Sequence, residues 1–271
     1  MSAVVYHSND HKKINGTLFY CFEYYVLLKR YIPGLQYILL NTSDEDLQWM
    51  KSIFIEKYNF DHAYLNDITN LTRLTDFVRL SVDNVLILDI HTYSRVKDFL
   101  GKARSVRVYS NEEHNYLNAK PHHVFYGFYD YQTFNKKTRI KLYADIHKRF
   151  PNKRNKVFVT SLNADNDYIV NQLGLDPSKV FVKNLNSHNE NMYEQVGEMI
   201  YWHSSHTDTN NRAIVEAYIH DIPLTIHFNG HYHDSIYERS NTIANGGLQE
   251  MFLDQSDILI QDFINDCTNT K

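Results

Sequence analysis

Short apolar runs alternate with segments of helical period along most of the chain. In the first part, runs typical of buried strands are followed by segments in which apolar residues recur every three or four positions. The strands are predicted at residues 3–7, 35–41, 61–66, 84–90 and 105–110, and the helices at 17–31, 44–58, 71–80 and 91–101. This alternation favours an α/β fold with a doubly wound, mostly parallel sheet.

The same alternation restarts near residue 156. Strands are predicted at 156–161, 179–184, 199–203 and 224–228, helices at 165–174, 189–199 and 212–220, and a last regular element at 257–263. Between the two series lie an aromatic-rich stretch (120–135), whose rings can stack on bases or pack a core, a basic helix (136–149) and a linker (150–156). The 271 residues suit two lobes of about 130 residues each, or one large domain.

Residues 201–239 hold the strongest candidate for a binding site. A helix that Thr207, Asp208 or Thr209 can cap is followed by Pro223 and an apolar strand. Arg212 and Glu216 lie one turn apart on the same face of this helix. A helix N-terminus attracts anions, and a carboxylate one turn further in can bind sugar hydroxyls, so the stretch can hold a nucleotide diphosphate. The alternative is an ordinary loop, helix and strand in which Glu216 faces solvent.

This stretch resembles the C-terminal lobe of glycosyltransferases built from two Rossmann-like domains, the GT-B type. The pattern R-x-x-x-E-A, a turn with Pro, a strand and a polar loop is matched by Arg212, Glu216, Ala217, Pro223 and residues 229–234. The sequence departs from the common pattern at Asp221, where a Gly often stands, and its glycine-rich donor loops are sparse. The specific matches are confined to about residues 204–239 and the start of the chain.

The resemblance implies two Rossmann-like lobes with mostly parallel sheets and an interlobe cleft. Residues 1–150 would form the acceptor-binding lobe and residues 156–271 the nucleotide-sugar-binding lobe, with the C-terminal tail returning toward the first lobe. It also implies a nucleotide-sugar donor, a UDP-sugar in our interpretation, and no required cofactor or bound metal. Glu216 would hold the donor ribose, and Arg212 the diphosphate. The expected donor-binding residues are Thr160, Ser161, Asn163, Ser204, Ser205, Thr209, Asn210, Arg212 and Glu216.

The loop after the first strand is the second candidate site. Open α/β sheets bind ligands at the carboxyl ends of their strands, which makes Asp10, Lys12, Lys13 and Asn15 candidates. If the reaction inverts the anomeric centre, a carboxylate such as Asp10 takes the acceptor proton, while Arg212 stabilises the leaving diphosphate. A retaining reaction needs no such base, and an Asp in a loop is also a common turn residue. Asp10 and Arg212 are therefore the predicted catalytic pair.

Charge is distributed unevenly along the chain. Residues 95–156 carry 15 Lys and Arg against 5 Asp and Glu, a net +10, whereas residues 157–271 carry 5 against 16, a net −11. A basic segment between acidic ones suggests a polyanionic partner, with Lys136, Lys137 and Arg139 as acceptor contacts. The alternative is an ordinary solvated face whose acidic counterpart packs nearby.

Other features exclude several classes of protein. The sequence has no Walker loop and no G-x-G-x-x-G fingerprint, which counts against a kinase or a dehydrogenase. Its two cysteines suit a reducing compartment, and no apolar stretch is long enough to cross a membrane. We expect a cytoplasmic monomer without membrane association. His227, His231 and His233 have a spacing that metal sites use, but they have no Cys partner, so no metal is predicted.

The sequence leaves the identity of the acceptor open between several alternatives. Richness in Tyr, Phe, Asn and Lys with few Gly and Pro resembles proteins of large AT-rich phages, in which small GT-B enzymes glycosylate hydroxymethylated pyrimidines in DNA. The resemblance therefore implies double-stranded DNA as the partner, in the host cytoplasm, with the target base flipped out. The alternatives are a transferase for cell-surface polysaccharide and a non-catalytic nucleotide- or nucleic-acid-binding protein of the same fold.

Overall fold

The computed structural model describes residues 1–8, 16–109, 123–126, 156–161, 166–182, 192–203, 216–217, 220, 222–228 and 256–269. The chain divides into two compact units. The first unit contains residues 1–135 and 253–271, and the second contains residues 136–252. Each unit has its own parallel sheet, so the predicted α/β class with mostly parallel sheets is confirmed.

The first unit contains a six-stranded sheet in the order β3-β2-β1-β4-β5-β6, with every pair parallel. Its strands are β1 (Ser2–His7), β2 (Gln36–Leu40), β3 (Ile68–Leu71), β4 (Asn84–Ile87), β5 (Ser105–Tyr109) and β6 (His123–Tyr126). This is the strand order of a doubly wound Rossmann-type sheet. The chain leaves β1 toward β2 on one side and returns to β4 on the other, which places a switch point between β1 and β4.

Four helices connect these strands: α1 (Gly16–Lys29), α2 (Asp44–Lys57), α3 (Leu74–Phe77) and α4 (Ile90–Val96). Short 3-10 segments follow α3 and α4, at Val78–Leu80 and Lys97–Phe99. Ser43 caps α2, because its side chain accepts a hydrogen bond from the Asp46 N–H.

Helix α1 is buried around its whole circumference. Every residue from Leu18 to Lys29 is buried, which matches a sequence that is apolar on all sides. Phe22 stacks on Phe54 of α2, with ring centroids 3.7 Å apart. The two buried charges are paired: Glu23 accepts a hydrogen bond from Tyr58, and Lys29 lies 2.5 Å from the Asp67 carboxylate. Helix α1 is therefore a core element that fixes the carboxyl edge of β1.

One predicted strand of the first unit is wrong. Residues 61–66 do not form a strand; His62–Asp67 is a 3-10 helix, and the strand is Ile68–Leu71. The Asp61 side chain accepts a hydrogen bond from the Ala63 N–H at 2.9 Å and starts the helical turn. Local capping by Asp61 outweighs the short apolar pattern that suggested a strand.

The second unit contains a four-stranded parallel sheet in the order β10-β9-β7-β8. Its strands are β7 (Lys156–Ser161), β8 (Val180–Val182), β9 (Val196–His203) and β10 (Leu224–Phe228). Helix α5 (Asn166–Gln172) is followed by Gly174, whose positive φ of 62° is a conformation common just after the end of a helix. A 3-10 segment at Pro177–Lys179 leads into β8.

The helix predicted at 189–199 is wrong in its C-terminal part. In the described residues of this segment, Met192–Gln195 forms the one-turn helix α6, and β9 begins at Val196. Strand β9 pairs with β7 on one side and β10 on the other, so its backbone is hydrogen-bonded along both edges. Tertiary pairing therefore overrides the helical period of the sequence, and Gly197 weakens the helical alternative.

The last helix, α7 (Ser256–Thr268), belongs to the first unit although it follows the second along the chain. It packs against β4 and β5, which agrees with the expected return of the C-terminal tail toward the first lobe. The predicted basic helix at 136–149 lies outside the residues that the structure describes, as does the predicted linker except for Lys156.

Candidate functional site

The first candidate site is the carboxyl edge of the six-stranded sheet, at the switch point between β1 and β4. Ligands of open α/β sheets bind at such points because the connections on either side diverge and leave a crevice. In the described part of the chain, His7 and Ser8 at the end of β1 contribute to this edge. Asp89 and Thr92 contribute from the start of α4.

A side-chain network closes the base of this crevice. The Asp89 carboxylate caps α4 by accepting hydrogen bonds from the Thr92 N–H and hydroxyl, both at 2.8 Å. The Thr92 hydroxyl oxygen in turn accepts a hydrogen bond from the His7 N–H at 3.0 Å. The pairing of β1 with β4 ends at Val5 and Ile87. Beyond that point the Thr92 hydroxyl, instead of a backbone carbonyl of β4, accepts the hydrogen bond from the His7 N–H. A ligand at this edge cannot use the His7 N–H without displacing Thr92.

Asn41 joins three loops at the same edge. Its backbone has a positive φ of 60°, a conformation that Asn tolerates better than most residues. Its side-chain amide donates to the Ser8 carbonyl at 2.9 Å, and its N–H donates to the Leu71 carbonyl at 2.7 Å. These bonds fix the point at which residues 9–15 leave the sheet. The predicted residues Asp10, Lys12, Lys13 and Asn15 themselves lie outside the described residues.

Cys21 on α1 has no properties of a nucleophile. Burial raises the pKa of its thiol, and the negative charges of Asp89 and Glu23 raise it further. A buried thiol that stays protonated is chemically inert.

The second candidate site is the switch point of the four-stranded sheet. The chain runs from β7 to β8 on one side and then returns to β9 on the other side of β7. Thr160 and Ser161 are the last two residues of β7 and pair with Tyr201 and Trp202 of β9. Two of the predicted donor-binding residues therefore lie at the carboxyl end of β7, beside this switch point. Others lie outside the residues described, namely Asn163, Ser204, Ser205, Thr209, Asn210 and Arg212.

Glu216 is described in detail and is buried, with 3% of its surface exposed. The interpretation that it faces solvent is therefore wrong. Its carboxylate accepts a short hydrogen bond from the Tyr193 hydroxyl. The Tyr193 ring stacks on His220, with centroids 4.2 Å apart and planes 15° from parallel, and the His220 N–H donates to the Glu216 carbonyl at 3.1 Å. These contacts hold Glu216 in one orientation.

The position of Tyr193 gives this bond a structural role as well. Tyr193 lies on α6, immediately before β9, and packs in the core cluster that contains Ala217 and Ile222. The bond therefore links the helical turn at Glu216 to the amino-terminal end of β9. Ser161 lies at the other end of the sheet, because it pairs with Trp202 near the carboxyl end of β9. Sequence analysis did not identify Tyr193, because a tyrosine in an apolar stretch has no signal that separates a hydrogen-bonding role from packing.

Part of the uneven charge is neutralised within the first unit. Arg107 of the basic segment pairs with Asp262 at 3.2 Å and Asp266 at 2.7 Å, both from the acidic C-terminal segment. Arg104 donates to the Asp266 carbonyl at 2.5 Å. For Arg107 the interpretation of an acidic counterpart packed nearby is confirmed, whereas Arg104 contacts the backbone of the same helix. The predicted acceptor contacts Lys136, Lys137 and Arg139 lie outside the described residues.

Among the residues that the structure describes, no group of His, Cys, Asp and Glu side chains has the arrangement of a metal site. None of their helices combines the length and apolar character needed to span a bilayer. The side chain of His227 is not described, and His231 and His233 lie outside the described residues.

No known protein family and no curated protein sequence matches this chain.

Proposed function

We propose that the protein is a glycosyltransferase of the two-lobe GT-B type that moves a sugar from a nucleotide-sugar, a UDP-sugar, to an acceptor hydroxyl. The second unit would bind the donor and the first unit the acceptor. Parallel α/β sheets serve many functions, so the proposal rests on the site rather than on the fold.

The arrangement around Glu216 carries the proposal. A helical turn with a buried carboxylate leads through Pro223 directly into β10 of a parallel sheet, which is the sequence of elements that the motif implies. Tyr193 binds the carboxylate and restricts its orientation. A carboxylate positioned in this way can accept hydrogen bonds from ribose hydroxyls with little loss of side-chain entropy.

Thr160 and Ser161 lie at the opposite end of the same sheet from the Tyr193–Glu216 bond, so in our proposal they meet a different part of the donor from Glu216. They end β7 at the switch point, where open parallel sheets bind ligands. Hydroxyl-bearing residues and backbone N–H groups at strand ends are suited to phosphate oxygens. Arg212 and the first turn of its helix would meet the diphosphate, as the motif implies.

The reaction transfers the sugar, through its anomeric carbon, from a diphosphate oxygen to the acceptor oxygen. The acceptor oxygen bonds to the anomeric carbon as the bond from that carbon to the diphosphate breaks, and the nucleoside diphosphate leaves with the bonding electrons. Arg212 would stabilise the charge on the leaving group. In an inverting reaction Asp10 would take the acceptor proton.

We propose a hydroxymethylated pyrimidine in duplex DNA as the acceptor. The basic segment supports it, since residues 95–156 carry 15 Lys and Arg against 5 Asp and Glu, although Arg107 is paired with Asp262 and Asp266 of α7. Phosphates attract such a surface, and the affinity falls as salt displaces the contacts. The target hydroxyl would reach the site by base flipping.

The test has a binding step and a turnover step. Nucleoside diphosphate sugars with different bases are first screened for stabilisation against thermal unfolding, and we expect uridine donors to stabilise most. The stabilising donor is then supplied in labelled form with hydroxymethylated duplex DNA, and unmodified duplex serves as the control. Transfer to the modified duplex alone supports the proposal. Binding without turnover would indicate a non-catalytic binding protein, and no effect of any donor would refute the donor site.

A further inference from the structure

The C-terminal helix α7 occupies an unusual place in the chain. Residues 136–252 form the second unit, and both flanking segments belong to the first unit. Helix α7 (Ser256–Thr268) packs against β4 and β5 of the first sheet. When α7 is docked, both ends of the second unit are tied to the first unit. When it is undocked, only the connection before the second unit remains.

Arg107 of β5 is the centre of the docking contact. Its guanidinium binds the Asp266 carboxylate with two bonds, from Nε at 2.7 Å and from Nη2 at 2.9 Å. Its Nη1 donates to the Asp262 carboxylate at 3.2 Å. The Arg107 side chain is only 17% exposed, so these charge-assisted bonds are partly shielded from water.

Helix α7 is poorly stabilised by its own sequence. It has 13 residues and no basic residue in its last turn, while Asp262 is its central residue and Asp266 lies in its last turn. Negative charge near a C-terminus opposes the helix dipole, and isolated helices of this length are marginal in water. The missing cations come from the sheet: Arg107 pairs with both carboxylates, and Arg104 donates to the Asp266 carbonyl at 2.5 Å. Helix formation is therefore coupled to docking.

Apolar side chains also contribute to the contact. Leu259 and Phe263, one turn apart, are fully buried, and Ile260 and Ile264 are partly buried. Arg107 lies on the face of β5 opposite to Val106 and Val108, which belong to the core cluster around β1 and β4. Among the described residues, that cluster contains none from α7, so this face of the sheet has a core of its own.

We propose that α7 is a releasable strap, a helix that docks on and leaves the first sheet as one unit. The ion pairs of Arg107 with Asp262 and Asp266, called the latch below, hold it in the docked position. Undocking unfolds α7, leaves the six-stranded sheet folded and frees one end of the second unit. Added salt promotes release, because the latch consists largely of ion pairs. The inference does not depend on the proposed function.

Hydrogen exchange of the full-length protein tests the strap directly. Exchange of peptides from α7, β1 and β4 is followed by mass spectrometry between about 0.05 and about 1 M NaCl. We expect α7 to exchange faster than β1 and β4, and only α7 to accelerate with salt. Arg107→Gln should speed exchange in α7 by roughly ten- to a hundredfold, the loss expected for bonds to a charged group. Arg79→Gln is the matched control, because Arg79 forms only an exposed pair with Asp76.

A cross-link supplies the complementary test. The Cys267 thiol of α7 is hydrogen-bonded to the Ser2 side chain of β1, so Ser2→Cys places two thiols in contact. The oxidised variant should lose the fast exchange of α7, and reduction should restore it. The proposal is overturned if α7 and β1 exchange together in the wild type at every salt concentration. It is also overturned if Arg107→Gln accelerates β1 and α7 equally, or if the two thiols fail to couple.

Discussion

The hydrogen bond between Tyr193 and Glu216 predicts effects on both stability and nucleotide binding. Both side chains are buried, at 7% and 3% exposure, so the bond is made in a region of low dielectric. Glu216→Ala leaves the Tyr193 hydroxyl without this partner and removes the buried methylene groups of Glu216. A hydrogen bond to a charged group contributes about 1.5–3 kcal/mol, so we expect a loss of that size. For a unit of this length the thermal midpoint should fall by roughly 5–12 °C.

Two further variants separate the bond from packing. Glu216→Gln keeps the shape and an oxygen that can accept from Tyr193, so it should lose less than half as much stability as Glu216→Ala. Tyr193→Phe removes only the donor and should cost about 1–3 kcal/mol. Denaturant unfolding of the single and double variants gives the coupling energy between the two residues. Losses that simply add would mean that the two side chains do not interact.

Nucleotide affinity is measured separately, in variants that remain folded. If Glu216 holds the donor ribose, Glu216→Ala should raise the dissociation constant for UDP by about one to two orders of magnitude. Tyr193→Phe should weaken binding less, because it loosens the carboxylate without removing it. Calorimetric titration of UDP decides the question. Equal affinities in the wild type and in folded Glu216→Ala would refute the ribose role and leave Glu216 as a structural residue.

The remaining predictions concern the basic segment, the latch and the cap of α4. Reversing the charge of four cations in the basic segment should weaken binding to duplex DNA and flatten the slope of log affinity against log salt by up to about four. The four are Lys136, Lys137, Arg139 and Lys141. Donor binding should not change. An unchanged slope in filter binding would count against this surface. Burial raises the pKa of Asp266, but hydrogen bonds from Arg107 and Ser105 and the charges of Arg107 and Arg104 outweigh it and hold the pKa below its ordinary value. A depressed pKa gives stability that is present above the unfolded value of about 3.9 and is lost as the pH falls through the folded value. The difference in thermal midpoint between wild type and Arg107→Gln should therefore shrink below about pH 4, and a constant difference would contradict the pairing. Asp89→Ala removes the cap of α4 and should cost about 0.5–2 kcal/mol in denaturant unfolding, whereas Asp89→Asn, which retains a capping oxygen, should cost much less.

The sequence by itself determined the α/β class and the positions of most strands and helices. Residues 3–7, 35–41 and 224–228 are apolar runs bounded by polar or turn residues, and each forms a strand. Ser43 also predicts its helix correctly, since a cap and the following period are local features. Local patterns succeed here because the same residues that favour an element also bury its apolar side.

Only the tertiary structure decided elements in which local preference and long-range contacts disagree. The segment 189–199 has a helical period, but β9 starts at Val196 because pairing with two neighbouring strands provides more backbone hydrogen bonds. The strand expected at 61–66 is replaced by a turn that Asp61 caps. No local pattern contains the position of a neighbouring strand, so these differences arise only when the sheet assembles.

The candidate sites show the same division. The sequence pointed to Glu216 through its motif and to Thr160 and Ser161 as donor-binding residues. It could not show that Tyr193 binds Glu216, that Thr92 closes the crevice beside His7, or that Arg107 binds the last helix. Those partners are 23, 85 and about 160 residues apart along the chain. Hydrogen bonds and ion pairs depend on distances of about 3 Å, which are set when distant segments pack together rather than by the order of residues.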